Sequence, residues 1–460
     1  MRRFIFIAAA ALCTAQAMAV FADTGSESAP HGEKRYAWAI GNSQLGNLAL
    51  FGFNRFVAQA DYAMIDAASI HRNLTSSWVW DQDEFSVNQI GHPYQGSTYY
   101  VAGRANGLSF AESSLVSLGG SSVWELFYET ETPSRNDLVT TTLGGIALGE
   151  MLHRLYLEAD RKEIPGAFLL SPMDAFNSLV TGKKSPHHGS ALESGDLSIE
   201  AGFIDSRKKL DQNRYEAGDR NTVTGNVGLA IVYGDPFAHR TDTPYSHFEQ
   251  RLDAVLSPEY YSLSFFSDGL LFGRAPFDDE KRRTTVGMSL HYDFIYNSDI
   301  NFSANSVGVT VKHERRFAGD ARVVAKTHLN WMPLAATDSV LLRYGDATKK
   351  NYTGERRDYD MGTGVSLKCD MALLLPRAGE ISLSTFLYAM KTIPASVPED
   401  GSDGSTLINV TNLSYERSIR DNLATGLSSS MYRKYACYSD APAVDEMTSN
   451  LSVYIRYRVF

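Results

Sequence analysis

Strict alternation of apolar and polar residues runs through the second half of the chain. In "VGMSLHYDFIY" (286–296) every second residue is apolar, and Ser289, His291 and Asp293 lie on the opposite face. The last ten residues, "LSVYIRYRVF", repeat the pattern with two arginines in the polar phase. Successive side chains of an extended chain point to opposite sides. A repeat of two residues therefore predicts strands of a sheet that is wetted on one face only.

About twelve such segments can be counted, and most have the roughly nine residues that a tilted strand needs to cross an outer membrane. A soluble β-sandwich has shorter strands and no uniform apolar outer band. The sequence thus predicts an all-β transmembrane barrel of about 12 antiparallel strands, with roughly 10–14 strands left open. The segments lie near 197–205, 224–233, 247–256, 259–268, 285–296, 306–315, 321–331, 357–371, 380–391, 406–418, 421–434 and 450–460.

Loop lengths orient this barrel, because short turns of such proteins face the periplasm and long loops face outward. The short connections "RFAGDA", "ALLLPRAGE" and "SIRD" are predicted to be periplasmic, together with both ends of the barrel. The long connections at 332–356, 392–405 and 435–449 are predicted to face outward. Two early connections fit less well: "SPE" is short where a long loop is expected, and 269–284 is long where a turn is expected.

The first residues predict export. "MRRFIFIAAAALCTAQAMAVFAD" combines a basic start, a short apolar run and small residues, which is typical of a secretory signal peptide cleaved after Ala19 or Ala22. We assign 1–22 to the signal peptide and 23–35 to a flexible segment. Leu12 stands where a lipoprotein signal needs a small residue, so Cys13 is not predicted to carry lipid. Together with the strands, the signal peptide predicts a location in the outer membrane of a Gram-negative-type bacterium.

Charge and cysteine content restrict the possible binding partners and disulfide bonds of the protein. A net charge of −10 and a pI near 5.6 exclude nucleic acid, which binds a basic face. Only Cys369 and Cys437 remain after the signal peptide, so no disulfide framework is expected, and both a single bridge and two free thiols stay open.

The predicted partners are outer-membrane lipids and the barrel-assembly machinery, which recognises the last strand. The final Phe460 falls in the polar phase, which weakens that signal.

A different block precedes the barrel. Residues 36–183 are rich in apolar residues at helical spacing and are divided by glycine and proline, for example at Gly91, Pro93 and Pro133. The sequence predicts a helical domain over 36–183 and the barrel over 184–460. Its motifs "HPYQG", "GLSFAESS", "WELFYETETPSRND" and "LGGIALGE" resemble a bacterial family of uncharacterised envelope proteins, domain of unknown function 3943, over roughly 75–160. The resemblance implies an envelope or outer-membrane protein and no established activity.

Two acids in this block suggest acid–base chemistry. Glu125 and Glu129 are one helical turn apart, so their carboxylates share a face and would raise one another's pKa if buried. If exposed, they form an ordinary solvated face. His92 could act as a base, with Ser113 or Ser114 as a nucleophile and Glu125 as the residue that orients His92. No G-x-S-x-G motif supports that arrangement.

Other polar motifs favour structural roles. Ser134 and Asp137 have the spacing of a capping box at a helix start, while Asn136 is not needed by the cap and is the more interesting member as a site residue. Gly145 and Gly149 have the G-x-x-x-G spacing that allows close helix contact.

The acids of "WDQDEF" (Asp81, Asp83, Glu84) could bind Ca²⁺ but lack the full ligand loop, which favours a solvated turn. We assign no cofactor and no metal.

Three functions from different classes follow. In the first, the helices plug or line the barrel on the periplasmic side, and the protein has a structural or transport role. In the second, the block is a lipid-modifying enzyme acting on acyl or phosphate esters, with His92, Glu125, Glu129, Asn136 and Asp137 as candidate catalytic residues. In the third, outer loops bind a surface ligand. The sequence favours the first and assigns no enzymatic activity.

Overall fold

The computed structural model describes residues 33–185, 191–210, 220–339, 357–398 and 401–459. The predicted signal peptide and Phe460 lie outside these residues. The chain divides into two compact units. The helical unit comprises Met1–Asp81 and Val87–Ser190, and the barrel unit comprises Gln82–Ser86 and Ala191–Phe460.

The helical unit contains six α-helices within its described residues. Side-chain caps begin several of them: Asp66 and Ser109 each accept a hydrogen bond from the backbone three residues on and complete a capping box. Among the residues that the structure describes, no helix has both the length and the apolar character needed to cross a membrane. The helices are α1 Tyr36–Phe53, α2 Ala67–Thr75, α3 His92–Arg104, α4 Phe110–Phe127, α5 Arg135–Arg161 and α6 Pro172–Thr181.

Glycine allows α3 and α5 to touch along their backbones. A Cβ atom at Gly145 would lie 2.5 Å from the carbonyl carbon of Gly96, and one at Gly96 would lie 1.8 Å from the carbonyl oxygen of Thr141. At Gly149 a Cβ atom would lie 2.9 Å from the Tyr100 ring. The prediction that the G-x-x-x-G spacing serves close packing is confirmed.

The barrel unit is a closed antiparallel ring of twelve strands with one additional short strand. The predicted fold class and strand number are confirmed. The ring order is β1, β2, β4 to β13, closed by the pairing of β1 with β13, and β3 pairs with the extended end of β5. The strands are β1 Leu192–Leu210, β2 Arg220–Tyr233, β3 Arg240–Thr241, β4 Phe248–Leu256, β5 Tyr261–Asp278, β6 Arg282–Asn297, β7 Asn301–Arg316, β8 Arg322–Asp338, β9 Tyr359–Leu375, β10 Gly379–Thr392, β11 Gly404–Arg420, β12 Leu423–Tyr438 and β13 Val444–Arg458.

The connections at the two ends of the barrel differ in length. The end at which β1 starts carries the turns after β5, β7, β9 and β11, which include all three predicted short connections, and also the longer 234–247 connection that contains β3. The opposite end carries the long connections 339–358 and 393–403. The long connection predicted at 435–449 is wrong, because β12 continues to Tyr438 and β13 starts at Val444. The expectation of a long connection within 269–284 is wrong: β5 continues to Asp278 and β6 starts at Arg282, because the end of β5 pairs with β3 and β6.

The two cysteines are free thiols. Cys369 lies on β9 and Cys437 on β12, with two strands between them. Neighbouring strands are about 4.8 Å apart, and the register places Cys437 level with Thr363, six residues from Cys369 along β9, so the two cysteines are separated by more than about 14 Å. A disulfide needs Cα atoms within about 7 Å, which excludes a bridge within this barrel.

An apolar layer fills part of the barrel interior. Phe266 of β5 and Phe386 of β10 meet edge to face with ring centroids 5.5 Å apart. Four strands separate β5 from β10 on one side of the ring and six on the other, so this contact crosses the lumen. Phe302 and Tyr388 pack beside it with centroids 4.5 Å apart. The apolar layer (Phe266, Ile295, Phe302, Ala304, Met332, Ala335, Phe386, Tyr388, Met390, Ile408 and Val410) is drawn from strands between β5 and β11.

Ion pairs also cross the lumen. Lys326 Nζ of β8 lies 2.7 Å from Glu249 Oε2 of β4 and 3.1 Å from Asp268 Oδ1 of β5. Lys368 Nζ of β9 lies 2.8 Å from Asp293 Oδ1 of β6. Acidic and basic residues on the polar face of the strands therefore pair with one another across the barrel.

Candidate functional site

A short parallel bridge brings two distant segments of the helical unit together. The Val79 N–H donates to the Pro133 carbonyl (2.9 Å), and the Arg135 N–H donates to the Val79 carbonyl (2.9 Å). Asp81, two residues after this bridge, lies beside the first turn of α5. The geometry depends on residues more than fifty positions apart in sequence, so local patterns give no sign of it.

Ser134 is the N-cap of α5. Its hydroxyl accepts a hydrogen bond from the Asp137 N–H (3.2 Å), as the S-x-x-D spacing predicts. The carboxylate of Asp137 accepts a hydrogen bond from Asn136 Nδ2 (2.8 Å). Capping thus uses the backbone of Asp137, while its side chain takes part in a buried polar cluster.

Asn136 connects two carboxylates. Its Nδ2 donates to Asp81 Oδ1 (2.7 Å) and to Asp137 Oδ1 (2.8 Å), and its Oδ1 accepts from the Asp81 N–H (3.1 Å). Asn88 Nδ2 also donates to Asp81 Oδ1 (2.8 Å). Both Asn136 and Asp137 are buried. The amide of Asn136 therefore holds the two acids close to each other.

His92 completes this arrangement. It is the first residue of α3, it is buried, and its Nε2 lies 3.6 Å from Asp137 Oδ1. We refer to Asp81, His92, Asn136 and Asp137 as the acid–histidine cluster. The structure thus brings together three of the candidate residues and adds Asp81, which the sequence had suggested only for calcium.

Glu125 and Glu129 lie at the edge of the cluster. Glu125 is 1% exposed, and its Oε2 accepts a hydrogen bond from the Ser134 N–H (2.7 Å). Burial, with the nearby charges of Glu129 and Asp137, raises the pKa of Glu125 well above its ordinary value. Glu129 accepts a hydrogen bond from Trp124 Nε1 (3.1 Å). Glu125 is therefore linked to the cluster through Ser134, and Glu129 contacts the indole of Trp124.

The electrostatics of the cluster suit proton transfer. Burial and the adjacent Asp137 carboxylate raise the pKa of Asp81 well above its ordinary value, although His92 and Asn136 oppose the shift. Two carboxyl groups held together favour a state in which they share a proton. With an imidazole beside Asp137, the cluster has the groups that general acid–base catalysis requires.

The serines proposed as nucleophiles make packing contacts. Ser113 is fully buried against Gly103, where an added Cβ atom would lie 2.6 Å from the Ser113 hydroxyl oxygen. The Ser114 hydroxyl donates to the Phe110 carbonyl (2.8 Å). Of the acids considered for calcium, Asp83 and Glu84 belong to the barrel unit.

Two buried networks of charged and polar side chains on α5 were not predicted from the sequence. His153 Nδ1 lies 3.0 Å from both carboxylate oxygens of Asp174, which also accept hydrogen bonds from Ser171 and Ser185. Glu150 forms the second network with two arginines. The signal that could have revealed them is the run of charged residues in "GEMLHRLYLEAD", inside a helix of apolar spacing.

One group in the barrel has the geometry of a metal site within the described residues. His247, Glu249 and Asp268 offer ligand atoms within 4.8 Å of one another. Lys312 Nζ and Lys326 Nζ each lie 2.7 Å from a Glu249 oxygen, and Lys312 also contacts His247 Nε2. Two ammonium groups already balance the carboxylates, so this donor set is better suited to ion pairing than to holding a metal.

Comparison with solved structures finds barrel proteins of low similarity. The β domain of the Bordetella autotransporter BrkA is 10% identical, with 58% of this chain and 99% of that chain covered and a TM-score of 0.24. The NanC porin is 10% identical over 55% of this chain and 98% of its own, with a TM-score of 0.26. The Pseudomonas putida toluene transporter TodX is 7% identical over 58% and 90%, with a TM-score of 0.25. No curated protein matches the chain.

The family comparison concerns the helical unit. Residues 77–171 match the model of a domain of unknown function (DUF3943), which confirms the resemblance carried by the four motifs. The matched range includes the whole acid–histidine cluster, Glu125 and Glu129. Residues 77–171, most of which lie in the helical unit, are therefore similar to the domain of unknown function 3943, and a twelve-stranded barrel follows them in the chain.

Proposed function

We propose that this chain is a bacterial outer-membrane protein whose barrel spans the bilayer with a lumen closed by its own side chains. Its role is then mainly structural: the barrel holds the helical unit at the membrane. Transport would require the lumenal contacts to separate. Outer-membrane lipids surround the barrel in this proposal, and the assembly machinery recognises β13.

The outer face of the barrel supports membrane insertion. Large apolar side chains stay exposed on neighbouring strands, including Leu329 and Trp331 on β8, and Val365 and Leu367 on β9. Soluble proteins seldom expose such a continuous apolar surface. A band of this kind is the part of an outer-membrane barrel that contacts lipid.

The contact between Phe266 and Phe386 is the observation that carries the proposal of a closed lumen. These rings meet from nearly opposite strands. The Lys326 ion pairs also bridge strands that are not neighbours. An aqueous channel needs a continuous wet path, which apolar and ion-paired contacts across the barrel block.

Conductance tests this proposal. The full chain in planar lipid bilayers is expected to conduct little, and the double variant Phe266→Ala/Phe386→Ala is expected to conduct several-fold more because the apolar contact is removed. Leu329→Ala, on the outer face, serves as the matched control and should resemble the wild type. Steady, large conductance of the wild type would contradict the closed lumen. Heat-modifiable migration on gels verifies that each barrel has folded.

We propose that the helical unit lies on the periplasmic side or inside the barrel. Strand β1, the first strand after α6, starts at the barrel end that carries the turns after β5, β7, β9 and β11, and in outer-membrane barrels the end with short turns faces the periplasm. Protease added to intact cells should then leave the helical unit uncut, and cleavage there would contradict this placement.

The acid–histidine cluster favours a second candidate function, a lipid-modifying enzyme acting on acyl or phosphate esters. The supporting observation is the pair of carboxyl groups held by Asn136 beside His92. In liposomes of outer-membrane lipids, mass spectrometry should then detect a product with the wild type. The product should be lost in His92→Ala, Asp137→Asn or Glu125→Gln and retained in the control Glu131→Gln. Unchanged lipids with the wild type would rule this candidate out.

A further inference from the structure

Helix α1 buries polar residues and exposes most of its large apolar residues. Its buried residues are Ala39, Asn42, Ser43 and Asn47, of which three are polar. Its large apolar residues point away from the rest of the unit: Trp38 is 47% exposed and Ile40 is 57% exposed. Helices of soluble proteins have the opposite arrangement, with apolar residues on the buried face. We call the outward set the apolar α1 surface: Trp38, Ile40, Leu45, Leu48, Phe53, Phe56 and Val57.

Hydrogen bonds fix this orientation of α1. Asn42 Nδ2 donates to Asn177 Oδ1 of α6 (3.0 Å), and Asn47 Nδ2 donates to the Gly120 carbonyl of α4 (3.2 Å). The Tyr99 hydroxyl of α3 donates to Asn47 Oδ1. Turning α1 to bury its apolar face would break these bonds and leave buried polar groups unpaired, which is unfavourable.

The apolar surface continues beyond α1. Phe56 is 76% exposed and Val57 is 69% exposed in the turn that follows. On α6, which Asn42 contacts, Leu179 is 82% exposed. Between residues 36 and 58 the only charged residue is Arg55. Each of these large side chains would be stabilised by removal from water, so an apolar environment that covers the surface is favourable.

We infer that the apolar α1 surface lies in the boundary between lipid headgroups and acyl chains of the bilayer that the barrel spans. This inference rests on the proposed membrane insertion of the barrel. Helix α6 ends at Thr181 and β1 begins at Leu192, so residues 182–191 reach at most about 35 Å and keep the helical unit near the membrane.

Charge supports lipid as the covering. Lys34 and Arg35 precede α1, where Lys34 pairs with Glu112 (2.9 Å) and Arg35 donates to the Ala105 carbonyl (3.1 Å), and Arg55 follows α1. Basic residues at the edge of an apolar helical face attract anionic headgroups while the apolar side chains enter the acyl region. Trp38 near one end of the surface is the residue type that concentrates at this boundary.

Tryptophan fluorescence offers a direct test in the full chain. Of the five tryptophans, Trp38 lies on the apolar α1 surface, Trp331 lies on the outer face of the barrel, and Trp124 is buried in the helical unit. Variants that keep one of the three, with the others changed to phenylalanine, are reconstituted in liposomes containing brominated lipid. Brominated acyl chains quench only tryptophans that lie in the bilayer.

We expect the Trp38 variant to lose at least half as much fluorescence as the Trp331 variant, and the Trp124 variant to lose little. Quenching of Trp331 without Trp38 would overturn the lipid-facing role of α1 and leave the barrel proposal intact. Absence of quenching at Trp331 would contradict the barrel insertion itself. If these variants fold poorly, the quenching of Trp38 by brominated lipid is obtained by comparing the wild type with the Trp38→Phe variant. Quenching of Trp38 by aqueous iodide but not by brominated lipid would overturn the inference.

Discussion

Replacing Glu150 by alanine is expected to lower the free energy of unfolding of the helical unit by about 3–5 kcal/mol. The Glu150 carboxylate is fully buried on α5 and is paired with two arginines: Arg154 Nε lies 2.8 Å from Oε1, and Arg104 Nε lies 2.9 Å from Oε2. The Tyr100 hydroxyl also donates to Oε2 (2.8 Å). Removing the acid leaves two buried cations without their main partner, so the loss exceeds that of an ordinary ion pair.

The stabilisation that Glu150 provides through Arg104 and Arg154 depends on pH. Burial alone would raise the pKa of Glu150, but Arg104 and Arg154 lower it to about 2. The unfolded value is about 4.3, so the stabilisation is present above that pH and is lost as the pH falls towards 2. The Glu150→Ala variant should therefore lose its difference from the wild type as the solution is acidified through this range.

Hydrogen exchange of the α5 amides in the full chain, read by mass spectrometry, measures this effect. The matched control is Asp160→Asn on the same helix, since Asp160 is partly exposed and pairs with the largely exposed Lys184 (2.8 Å). The control should change stability by less than about 1 kcal/mol. Similar exchange in the two variants would contradict the prediction.

Gly145→Ala is expected to destabilise the helical unit by about 3 kcal/mol or more, at or above the upper end of the usual cost of overpacking. The new methyl group would lie 2.5 Å from the carbonyl carbon and 2.7 Å from the Cα of Gly96. Both contacts are with backbone, so no side-chain rotation relieves them. Helices α3 and α5 would have to separate, and the contacts around His92 and Asp137 would separate with them.

A second glycine provides the control for Gly145. Gly119 lies in the interior of α4, and a Cβ atom there would meet nothing within 4 Å. Gly119→Ala should therefore stabilise the helix by about 0.5–1 kcal/mol, because alanine restricts the unfolded chain more than glycine. Exchange rates of the α3 and α5 amides should move in opposite directions in the two variants. Equal stability of Gly145→Ala and the wild type would show that the close approach is not required.

Most strands of the barrel could be predicted because the alternation of apolar and polar residues is a property of neighbouring residues in the chain. Alternation in "VGMSLHYDFIY" and in "LSVYIRYRVF" shows directly which side chains share a face. The prediction of connections failed at 435–449, where β12 and β13 are joined by a short turn, and between 269 and 284, where β5 extends further and pairs with both β3 and β6. Such an extension depends on a neighbouring strand, which a single segment cannot reveal.

The candidate site could be predicted only in part. Glu125, Asn136 and Asp137 attracted attention because their residue types were unusual in an apolar block, and the structure places all three in buried positions. The role of Asp81 could not be predicted, because its contact with Asn136 depends on a bridge between residues 79 and 134. The buried pair of His153 and Asp174 depends likewise on the packing of α6 against α5.

The sequence by itself determined a barrel of about twelve strands preceded by helices, with roughly 10–14 strands left open, and it identified Gly145 and Gly149 as residues of a close helix contact. The strands follow from the period of the side chains, and the close helix contact follows from glycine, which has no side chain. Both features can be recognised within a few residues of sequence. Only the tertiary structure decided that Phe266 meets Phe386 across the lumen, that Asp81 joins the acid–histidine cluster, and that α1 turns its polar face inward. Each of these depends on partners far apart in the chain, because hydrogen bonds and ring contacts are satisfied in space rather than in sequence.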